Sequence, residues 1–469
     1  MNNKKNKATG LTRREVIVLG GAAVVSSIIA CPGDVQSGAD AARDAGTPTP
    51  DAGHSALDAG AHPHEDAAGA DDAQAQDAAQ QGADAGPDDA ALEDAQNTAD
   101  SAWPHDAPPP PLHFLHLSDI HIGSGGYAEP ALRFAVDTLI PTIAARAVFA
   151  TGDLTENGKV ELWNDYRAII DAAGLSPDYY IETPGNHDTL LDWDLSDYVD
   201  NSIAGRNGHG THDVYLVSAG DRRVRVVALN TCSYGDTIHD STGFLSSDEV
   251  DELITRIDAD PHNVEATIVL GHHPDITPNG LALFHSDDEL YRLLEHCQAT
   301  AYLFGHVHRH LAYWKSADVL MGQTATLGNP GDDQFGGVAG FSIFALDDGP
   351  AYKPVLMLGD KTNIHLDWPL VMITRPANPQ LSYDNRNPHA RALPRASAQN
   401  YLHALVFSNA PIDEVVYKIG SDDSEHPMEW ADGYYRARFE SPDDDSCSIQ
   451  VIARSAENTG LDVIRVDLI

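Results

Sequence analysis

The sequence has few cysteines, few basic residues and no long apolar run, and each shortage excludes a class of protein. Four cysteines in 469 residues are too few for a disulfide-built scaffold. Lys and Arg number 29 against 71 Asp and Glu, a formal net charge of −42. This charge disfavours a nucleic-acid partner, because basic side chains must neutralise phosphates. No run of 18 or more apolar residues occurs, so no transmembrane helix is predicted.

Residues 1–31 have the pattern of an export signal. Basic residues precede the apolar stretch 16–30, which is too short to span a bilayer and has the length of a signal-peptide core. The segment around Arg13 and Arg14 resembles the bacterial twin-arginine signal, and the ending Ala30-Cys31 resembles a lipobox, in which the cysteine is acylated. We therefore expect an exported lipoprotein, periplasmic or at the cell surface, that is anchored to the membrane only through a lipid on Cys31. An ordinary cleaved signal, the Sec route and either bacterial membrane remain open.

Residues 32–111 have the composition of a tether. They are mostly Ala, Asp, Gly, Gln and Pro, with 17 acidic residues and one basic residue. Such a segment cannot bury enough apolar surface to offset its ordering entropy. We therefore predict a disordered and extended acidic spacer.

From residue 112 onward, apolar segments alternate with helical patterns. Helices are predicted at 130–144, 160–173 and 247–257, and strands at 113–117, 147–151, 179–183, 224–230, 266–270, 300–304, 317–321 and 341–346. The third helix should begin at Ser246 or Ser247, because serine is a favoured N-terminal cap and acidic residues follow. The order is typical of an α/β domain with polar loops after the strands, and we assign it to residues 112–350.

Five short polar motifs lie just after predicted strands. They are Asp119-Ile120-His121, Gly152-Asp153, Gly185-Asn186-His187-Asp188, His272-His273-Pro274 and Gly305-His306-Val307-His308. Most recur after about 30 residues, the length of one strand–helix–strand unit. Because such strand ends converge on one crevice of an α/β sheet, we expect the motifs to form one site. Each motif is weak alone, and the ordered series is a strong signal.

The donor groups of these motifs indicate a metal centre. Carboxylate, amide and imidazole groups without thiolates favour Mn, Fe or Zn. There are more ligands than one ion needs, so we expect two divalent metal ions. A pair of ions can stabilise both the attacking and the leaving oxygen of an in-line displacement.

The series resembles the calcineurin-like metallophosphoesterase superfamily, over about residues 113–347. The resemblance implies a β-sandwich flanked by helices, and a first ion held by Asp119, His121, Asp153 and His308. It implies a second ion held by Asp153, Asn186, His272 and His306, so that Asp153 bridges the two. His272 is the implied ligand rather than His273, because the family pattern is His-x-Pro and Pro274 sets the register.

The same resemblance implies a reaction and its residues. A hydroxide that bridges the ions would attack phosphorus in line and hydrolyse a phosphodiester or phosphomonoester. His187 would stabilise the phosphate or protonate the leaving oxygen, and Asp188 would orient His187. Residues 152–158 and 305–309 are also similar to class III cyclic nucleotide phosphodiesterases. His273 and His310 are weaker candidates that could line the substrate site.

Residues 366–469 have a different pattern of predicted secondary structure. Short predicted strands at 368–374, 402–407, 414–419, 434–439, 448–453 and 463–468 alternate with polar turns. This regular spacing of short strands is typical of an immunoglobulin-like β-sandwich. The arrangement is similar to the transmembrane-protein-62 type of metallophosphoesterase, although the transmembrane helices of that type do not follow.

Two classes of function fit the sequence. The first is a metal-dependent phosphoric ester hydrolase that acts on a small phosphate ester. The second is a catalytically idle surface lipoprotein that serves as a binding or adhesion module. The complete ligand set favours the hydrolase, because seven polar groups are costly to bury without a use.

Overall fold

The computed structural model describes residues 107–192, 194–232, 242–275, 288–315, 318–331, 337–381 and 386–469. The predicted export signal, Cys31 and all but the last residues of the predicted tether lie outside these ranges. Within them, no helix combines the length and apolar character needed to cross a bilayer.

The N-terminal part of the described chain contains eleven strands in its described residues. They are β1 (Leu112–Leu117), β2 (Val148–Thr151), β3 (Tyr180–Thr183), β4 (Asp213–Ala219), β5 (Arg222–Ala228), β6 (Ala266–Leu270), β7 (Ala301–Phe304), β8 (Leu311–Lys315), β9 (Val319–Gln323), β10 (Gly340–Leu346) and β11 (Pro350–Leu356). All eight strands predicted for this region are present, with ends that shift by a few residues.

These strands form two mixed sheets. The first has the order β11-β10-β1-β2-β3, and the second has the order β4-β5-β6-β7-β9-β8. Parallel pairing joins β1 to β2 and β2 to β3 in the first sheet, and β5, β6, β7 and β9 in the second. Each sheet therefore contains a run of parallel strands, and the carboxyl ends of these strands lie on the same side of the sheet.

The two sheets pack face to face around an apolar layer. Phe114 and Phe149 of the first sheet belong to the same buried cluster as Val226, Ile268 and Leu303 of the second. Phe114 and Phe149 stack with ring centroids 5.2 Å apart. Burial of such large side chains contributes about 1.5–3 kcal/mol each, which holds the two sheets in one sandwich.

Helices cover the outer faces of this sandwich. They are α1 (Ala128–Phe134), α2 (Ile140–Ile143), α3 (Val160–Ala172), α4 (Ser196–Asn201), α5 (Ile203–Arg206), α6 (Ser247–Ala259) and α7 (Asp288–His296). A π-helical turn, Ala135–Leu139, joins α1 to α2, so the helix predicted at 130–144 is interrupted. Ser246 caps α6 by accepting the backbone N–H of Glu249 at 3.1 Å, which confirms the predicted start.

The described residues of the C-terminal part contain eight further strands, all antiparallel. They are β12 (Leu370–Arg375), β13 (Asn400–Phe407), β14 (Ile412–Ile419), β15 (His426–Pro427), β16 (Glu429–Ala431), β17 (Tyr434–Phe439), β18 (Ser446–Ser455) and β19 (Thr459–Asp467). The two sheets have the orders β12-β13-β17-β16 and β15-β14-β18-β19. Their facing side chains, such as Leu402, Ala437, Val451 and Val466, form one buried cluster.

A buried polar contact joins the two parts of the chain. The Asp347 carboxylate, in the turn after β10, accepts hydrogen bonds from Thr374 Oγ1 at 2.8 Å and Arg375 Nε at 2.9 Å. His403 Nδ1 of β13 lies 2.9 Å from the same carboxylate. Burial opposes ionisation of Asp347, but His403 and Arg375 overcome it and lower its pKa.

Candidate metal centre

The five predicted motifs meet at one edge of the sandwich. They follow β1, β2 and β3 in the first sheet, and β6 and β7 in the second. Backbone hydrogen bonds fix the loops to one another: Asp119 donates to Gly152 O at 3.1 Å, and His121 donates to Asp153 O at 2.8 Å. All seven predicted metal ligands therefore lie on loops whose backbones are held by neighbouring strand ends.

Three of the predicted ligands form a first cluster. His121 Nε2 lies 3.1 Å from His308 Nε2. His308 Nε2 lies 3.3 Å from Asp119 Oδ1, and His121 Nε2 lies 4.0 Å from the same oxygen. All three side chains are buried.

Three others form a second cluster. Asn186 Oδ1 lies 3.1 Å from His272 Nε2 and 3.0 Å from His306 Nδ1. The two imidazole nitrogens are 3.3 Å apart. His306 therefore presents Nδ1 to this cluster, whereas His272 presents Nε2.

Asp153 lies between the clusters. Its Oδ2 is 3.5 Å from His121 Nε2 and 3.2 Å from His272 Nε2. Its Oδ1 accepts the backbone N–H of His187 at 2.8 Å, which fixes the carboxylate. One oxygen of one side chain thus faces both groups of ligand atoms.

This arrangement fits a pair of divalent ions. Ligand atoms about 2.0–2.2 Å from an ion, at tetrahedral or octahedral angles, are roughly 3.0–3.5 Å from one another, which matches most of the separations in both clusters. Burial would raise the pKa of Asp119, but His308 lowers it to about 2. Burial and His272 lower the pKa of His306 to about 3. Burial lowers the pKa of His272, but the Asp153 carboxylate outweighs this and raises it to about 9, so a dication that binds there must displace a proton.

The backbone at the ligands is strained. Five of the seven predicted ligands are non-glycine residues in the left-handed region: Asp119 (φ 50°), His121 (φ 52°), Asp153 (φ 50°), His306 (φ 75°) and His308 (φ 53°). This conformation costs about 1 kcal/mol or more for each residue and clusters at functional sites. Packing and loop hydrogen bonds must therefore hold the ligands in place.

Two of the motif glycines are required for close approach. A Cβ at Gly185 would come within 3.0 Å of the backbone of Asp153, and one at Gly305 would come within 3.0 Å of Ser118 Oγ and Asp119 Oδ2. No real Cβ atom makes such contacts. Glycine at these positions lets one ligand loop lie directly against another.

His187 lies at the rim of the first cluster, and its ring is 4.6 Å from that of His121. The Nδ1 of His187 donates to the carbonyl of Glu156 at 2.8 Å. Burial lowers the pKa of His187, but the Asp153 carboxylate outweighs this and the net shift is upward. The ring is about a third exposed, so it can reach a bound molecule.

Asp188 has a different role from the expected one. Its carboxylate accepts the backbone N–H groups of Leu154, Thr155 and Gly185 at 3.1, 2.8 and 3.0 Å. It therefore ties the Asp153 loop to the Asn186 loop, and within the described residues it makes no hydrogen bond to the His187 ring. Burial and the nearby Asp153 raise its pKa to about 6. The expectation that Asp188 orients His187 is corrected: the group beside that ring is Glu156.

Glu156 is a residue of the site that was not predicted from the sequence. Its Oε2 lies 3.0 Å from His121 Nδ1, and its Oε1 lies 3.8 Å from His187 Nδ1. A carboxylate on the outer nitrogen of a ligand histidine fixes the tautomer that leaves the inner nitrogen free for a metal. The available signal was its place in the segment 152–158, three residues after Asp153.

The two weaker candidates lie in different places. His273 is buried beside the second cluster, and its ring is 4.6 Å from that of His306. Burial lowers the pKa of His273 well below its usual value. His310 Nδ1 lies 3.3 Å from Ser342 Oγ of β10. Among the described residues, His310 belongs to none of the groups of closely spaced ligand atoms.

A cleft of about 530 Å³ opens beside the first cluster. Its walls include Ser124 and Gly328, whose backbone N–H groups donate to the carbonyls of His121 and Asp119. Lys361 is one of its lining residues. The cleft therefore begins next to the backbone of two predicted ligands, and its lining includes a cationic side chain.

The model of the calcineurin-like phosphoesterase family matches residues 112–310. This region is a calcineurin-like phosphoesterase domain. The match begins at the first residue of β1 and contains every predicted metal ligand. Proteins of the calcineurin-like metallophosphoesterase superfamily use divalent metal ions, and both clusters of the domain have suitable donors.

Solved structures that match this chain cover about half of it. A dimetal phosphatase from Danio rerio has 13% identity and a TM-score of 0.40, over 53% of this chain and 99% of its own. A putative 5'-nucleotidase from Staphylococcus aureus has 15% identity and a TM-score of 0.36, over 53% and 55%. A purple acid phosphatase from yellow lupin (Lupinus luteus) has 14% identity and a TM-score of 0.34, over 55% and 52%. The search of curated proteins finds no match.

Proposed function

We propose that the protein is a dinuclear-metal phosphoesterase that hydrolyses a small phosphodiester or phosphomonoester. The observation that carries the proposal is the position of Asp153 Oδ2, which faces His121 of one ligand cluster at 3.5 Å and His272 of the other at 3.2 Å. A shared carboxylate between two sets of nitrogen and oxygen ligands is suited to a metal pair. The family match of the domain supports the same chemistry.

Each residue near the clusters has a defined task in this proposal. Two bound ions would lower the pKa of water and neutralise charge on the phosphate. Asp119, Asp153, Asn186 and the four ligand histidines hold the ions. Glu156 fixes the His121 ring. His187, whose Nδ1 is bound to the Glu156 carbonyl, has Nε2 left to donate a proton to the departing alcohol oxygen.

A substrate panel tests the proposal. The protein, loaded separately with Mn²⁺, Fe²⁺ or Zn²⁺, would be assayed on phosphomonoesters and phosphodiesters, including cyclic nucleotides. We expect metal-dependent turnover of at least one class, and loss of that turnover in Asp153→Asn at matched protein concentration. The control is Asp165→Asn, on α3, which is not among the proposed ligands. Equal rates in the wild type and Asp153→Asn would refute the assignment.

The alternative is an idle domain in a surface binding module. An idle domain would bind metal weakly and turn over no ester in the panel. The absence of both metal uptake and turnover in correctly folded protein would favour this alternative.

We propose that the protein is exported and anchored by a lipid on Cys31, through a twin-arginine signal. The sequence of residues 1–31 supports this, as does the acidic composition of residues 32–111, which would space the folded part from the membrane. Cys31→Ala should release the mature protein from the membrane fraction. Retention of the variant after a high-salt wash would contradict the anchor.

We propose that residues 366–469 form an immunoglobulin-like sandwich, as in the transmembrane-protein-62 type. The strand orders support this: β12-β13-β17-β16 corresponds to A-B-E-D, and β14-β18-β19 corresponds to C-F-G. An experimental structure with a different strand order would contradict it. The partners proposed are a small phosphate ester and the membrane, the latter only through the lipid, and no nucleic acid.

A further inference from the structure

His273 is a fully buried residue with one satisfied and one unsatisfied ring nitrogen. Its relative exposure is 0%. Nδ1 lies 3.0 Å from Thr231 Oγ1. Nε2 is buried and has no hydrogen-bond partner in the described part of the chain. Such a buried polar atom costs about 1–3 kcal/mol when it has no partner, and a bound ligand that accepts a hydrogen bond from it would remove that cost.

The hydrogen bonds of Thr231 determine which nitrogen of His273 carries the proton. Thr231 Oγ1 accepts the backbone N–H of His272 at 3.1 Å and that of His273 at 3.2 Å. These bonds use both acceptor positions of the hydroxyl, so its own hydrogen is donated to His273 Nδ1. The carbonyl of Thr231 accepts the N–H of Phe244 at 3.0 Å. With the Thr231 hydroxyl as the donor to Nδ1, the ring proton of His273 is on Nε2.

This tautomer separates His273 from the ligand histidines beside it. Its ring centroid lies 4.6 Å from that of His306 and 4.9 Å from that of His272. One nitrogen of each of the three rings lies within 4.8 Å of the others. A protonated Nε2 has no lone pair for a metal. It is a hydrogen-bond donor, and the acceptor that suits it on a ring packed against the second cluster is an oxyanion.

We propose that His273 donates its Nε2–H to a phosphate oxygen held at the second cluster, so that it is a phosphate-binding residue and not a metal ligand. The inference rests on the proposed function, because it requires a phosphate group at this site. It assigns a separate task to each of the two adjacent histidines. His272 donates its Nδ1–H to the carbonyl of Thr151 at 2.8 Å and presents Nε2 to the ligand cluster, whereas His273 presents a protonated Nε2 to the phosphate.

Two variants of similar polarity separate the possible roles of His273. The amide nitrogen of Gln lies near the Nε2 position of histidine, so His273→Gln keeps a donor to the phosphate. The amide of Asn lies near the Nδ1 position, so His273→Asn keeps only the contact with Thr231. Both variants and the wild type would be loaded with Zn²⁺. Their metal content and their dissociation constant for inorganic phosphate would then be measured.

We expect close to two Zn²⁺ ions per chain in all three proteins. Phosphate binding should be weaker by roughly 10–100-fold in His273→Asn, the worth of a hydrogen bond to a charged group, and near wild type in His273→Gln. Wild-type affinity in His273→Asn, or weakening in His273→Gln as severe as in His273→Asn, would overturn the inference. Metal loss in both folded variants would also overturn it, because His273 would then be a ligand.

A measurement on the unaltered protein covers the case in which the variants fail to fold. In Zn²⁺-loaded protein with ¹⁵N-labelled histidine, one imidazole Nε2–H resonance that is still present in His187→Ala should move downfield on addition of inorganic phosphate. Phosphate binding without any such shift would refute the role of His273 alone. Failure of the wild type to bind phosphate or to hydrolyse any ester would instead refute the proposed function.

Discussion

The Glu156 carboxylate lies 3.0 Å from Nδ1 of His121, on the side of the ring opposite the first ligand cluster. This contact keeps the Nδ1 proton in place and leaves Nε2 unprotonated. Glu156→Gln removes the charge that stabilises this tautomer, and loss of such outer partners costs about 10–100-fold in metal affinity. We expect a decrease of that size for one of the two ions, measured by titration with Zn²⁺ or Mn²⁺. Glu161→Gln, an exposed acid on α3, is the control and should bind both ions normally.

The shared position of Asp153 predicts a difference between two ligand variants. Asp153→Ala removes an oxygen that faces both clusters, whereas His308→Ala removes a nitrogen of the first cluster only. Elemental analysis after reconstitution should give well under one ion per chain for Asp153→Ala and about one for His308→Ala. Activity should be lower in Asp153→Ala. Equal metal contents in the two variants would contradict the bridging position.

The proton donor role of His187 predicts a dependence on the leaving group. An alkoxide needs a proton to depart, whereas a nitrophenolate is already stable as an anion. His187→Ala should therefore lose about 10²–10⁴-fold on an alkyl phosphate ester and much less on a nitrophenyl ester. The test is the ratio of the two rate losses at matched metal content. A uniform loss would mean that His187 only positions the phosphate.

Close packing between ligand loops predicts that Gly305→Ala damages the first cluster. The added Cβ would collide with Ser118 Oγ and Asp119 Oδ2, so the Asp119 loop must move. We expect lower metal occupancy and a loss of roughly 1–3 kcal/mol in unfolding free energy, measured by elemental analysis and urea titration. Gly220→Ala is the control: Gly220 has φ 62° but open space around its Cα, so its variant should lose some stability and keep its metals.

Glu182, a buried carboxyl outside the metal site, predicts a pH dependence of stability. It accepts Tyr166 OH at 2.6 Å and the backbone N–H of Ala204 at 3.0 Å. Burial raises its pKa from 4.5 to about 7, although these hydrogen bonds oppose the shift. Between these two values the unfolded chain releases the proton and the folded chain keeps it. Stability should therefore fall as pH rises from about 4.5 to about 7.

The variant Glu182→Gln isolates this effect. Gln cannot ionise, and its amide oxygen can still accept from Ala204. Relative to the wild type, the variant should gain roughly 2–4 kcal/mol of unfolding free energy between pH 4.5 and pH 8, since one pKa unit corresponds to about 1.4 kcal/mol. Urea unfolding at both pH values measures it. Burial also raises the pKa of Glu249, to about 8. Glu249 is present in both proteins, so its contribution to the pH dependence of stability cancels in the comparison. A parallel pH dependence in the two proteins would contradict the prediction.

The central strands could be predicted from the sequence because buried parallel strands are nearly continuous apolar runs. The convergence of the motifs could be predicted because the polar residues follow those strands directly. The predicted β6 agrees to the residue, and so does β17. The five unpredicted strands, β4, β8, β11, β15 and β16, each lie at the edge of a sheet. Edge strands are half exposed or, like β11, contain proline, so their pattern is weak.

The finer assignments within the site depend on contacts between loops. Asp188 follows His187 in sequence, which suggested that it contacts the His187 ring. The 3₁₀ turn His187–Thr189 instead directs the Asp188 carboxylate to the backbone of Leu154 and Thr155. Glu156 and Thr231 become relevant only once the fold brings them beside His121 and His273. Adjacency along the chain gives no information about such partners.

The left-handed backbone at five ligand positions also bears on how this chain could change under mutation. Glycine adopts that conformation without strain, so drift toward glycine at any of the five would relieve strain in a chain that made no use of the side chains. In a catalytically idle domain, a substitution by glycine at any of these five positions would therefore lower the backbone strain without loss of function. The sequence carries Asp or His at all five positions, so a change to glycine at any of them would relieve backbone strain and remove a predicted ligand in the same step.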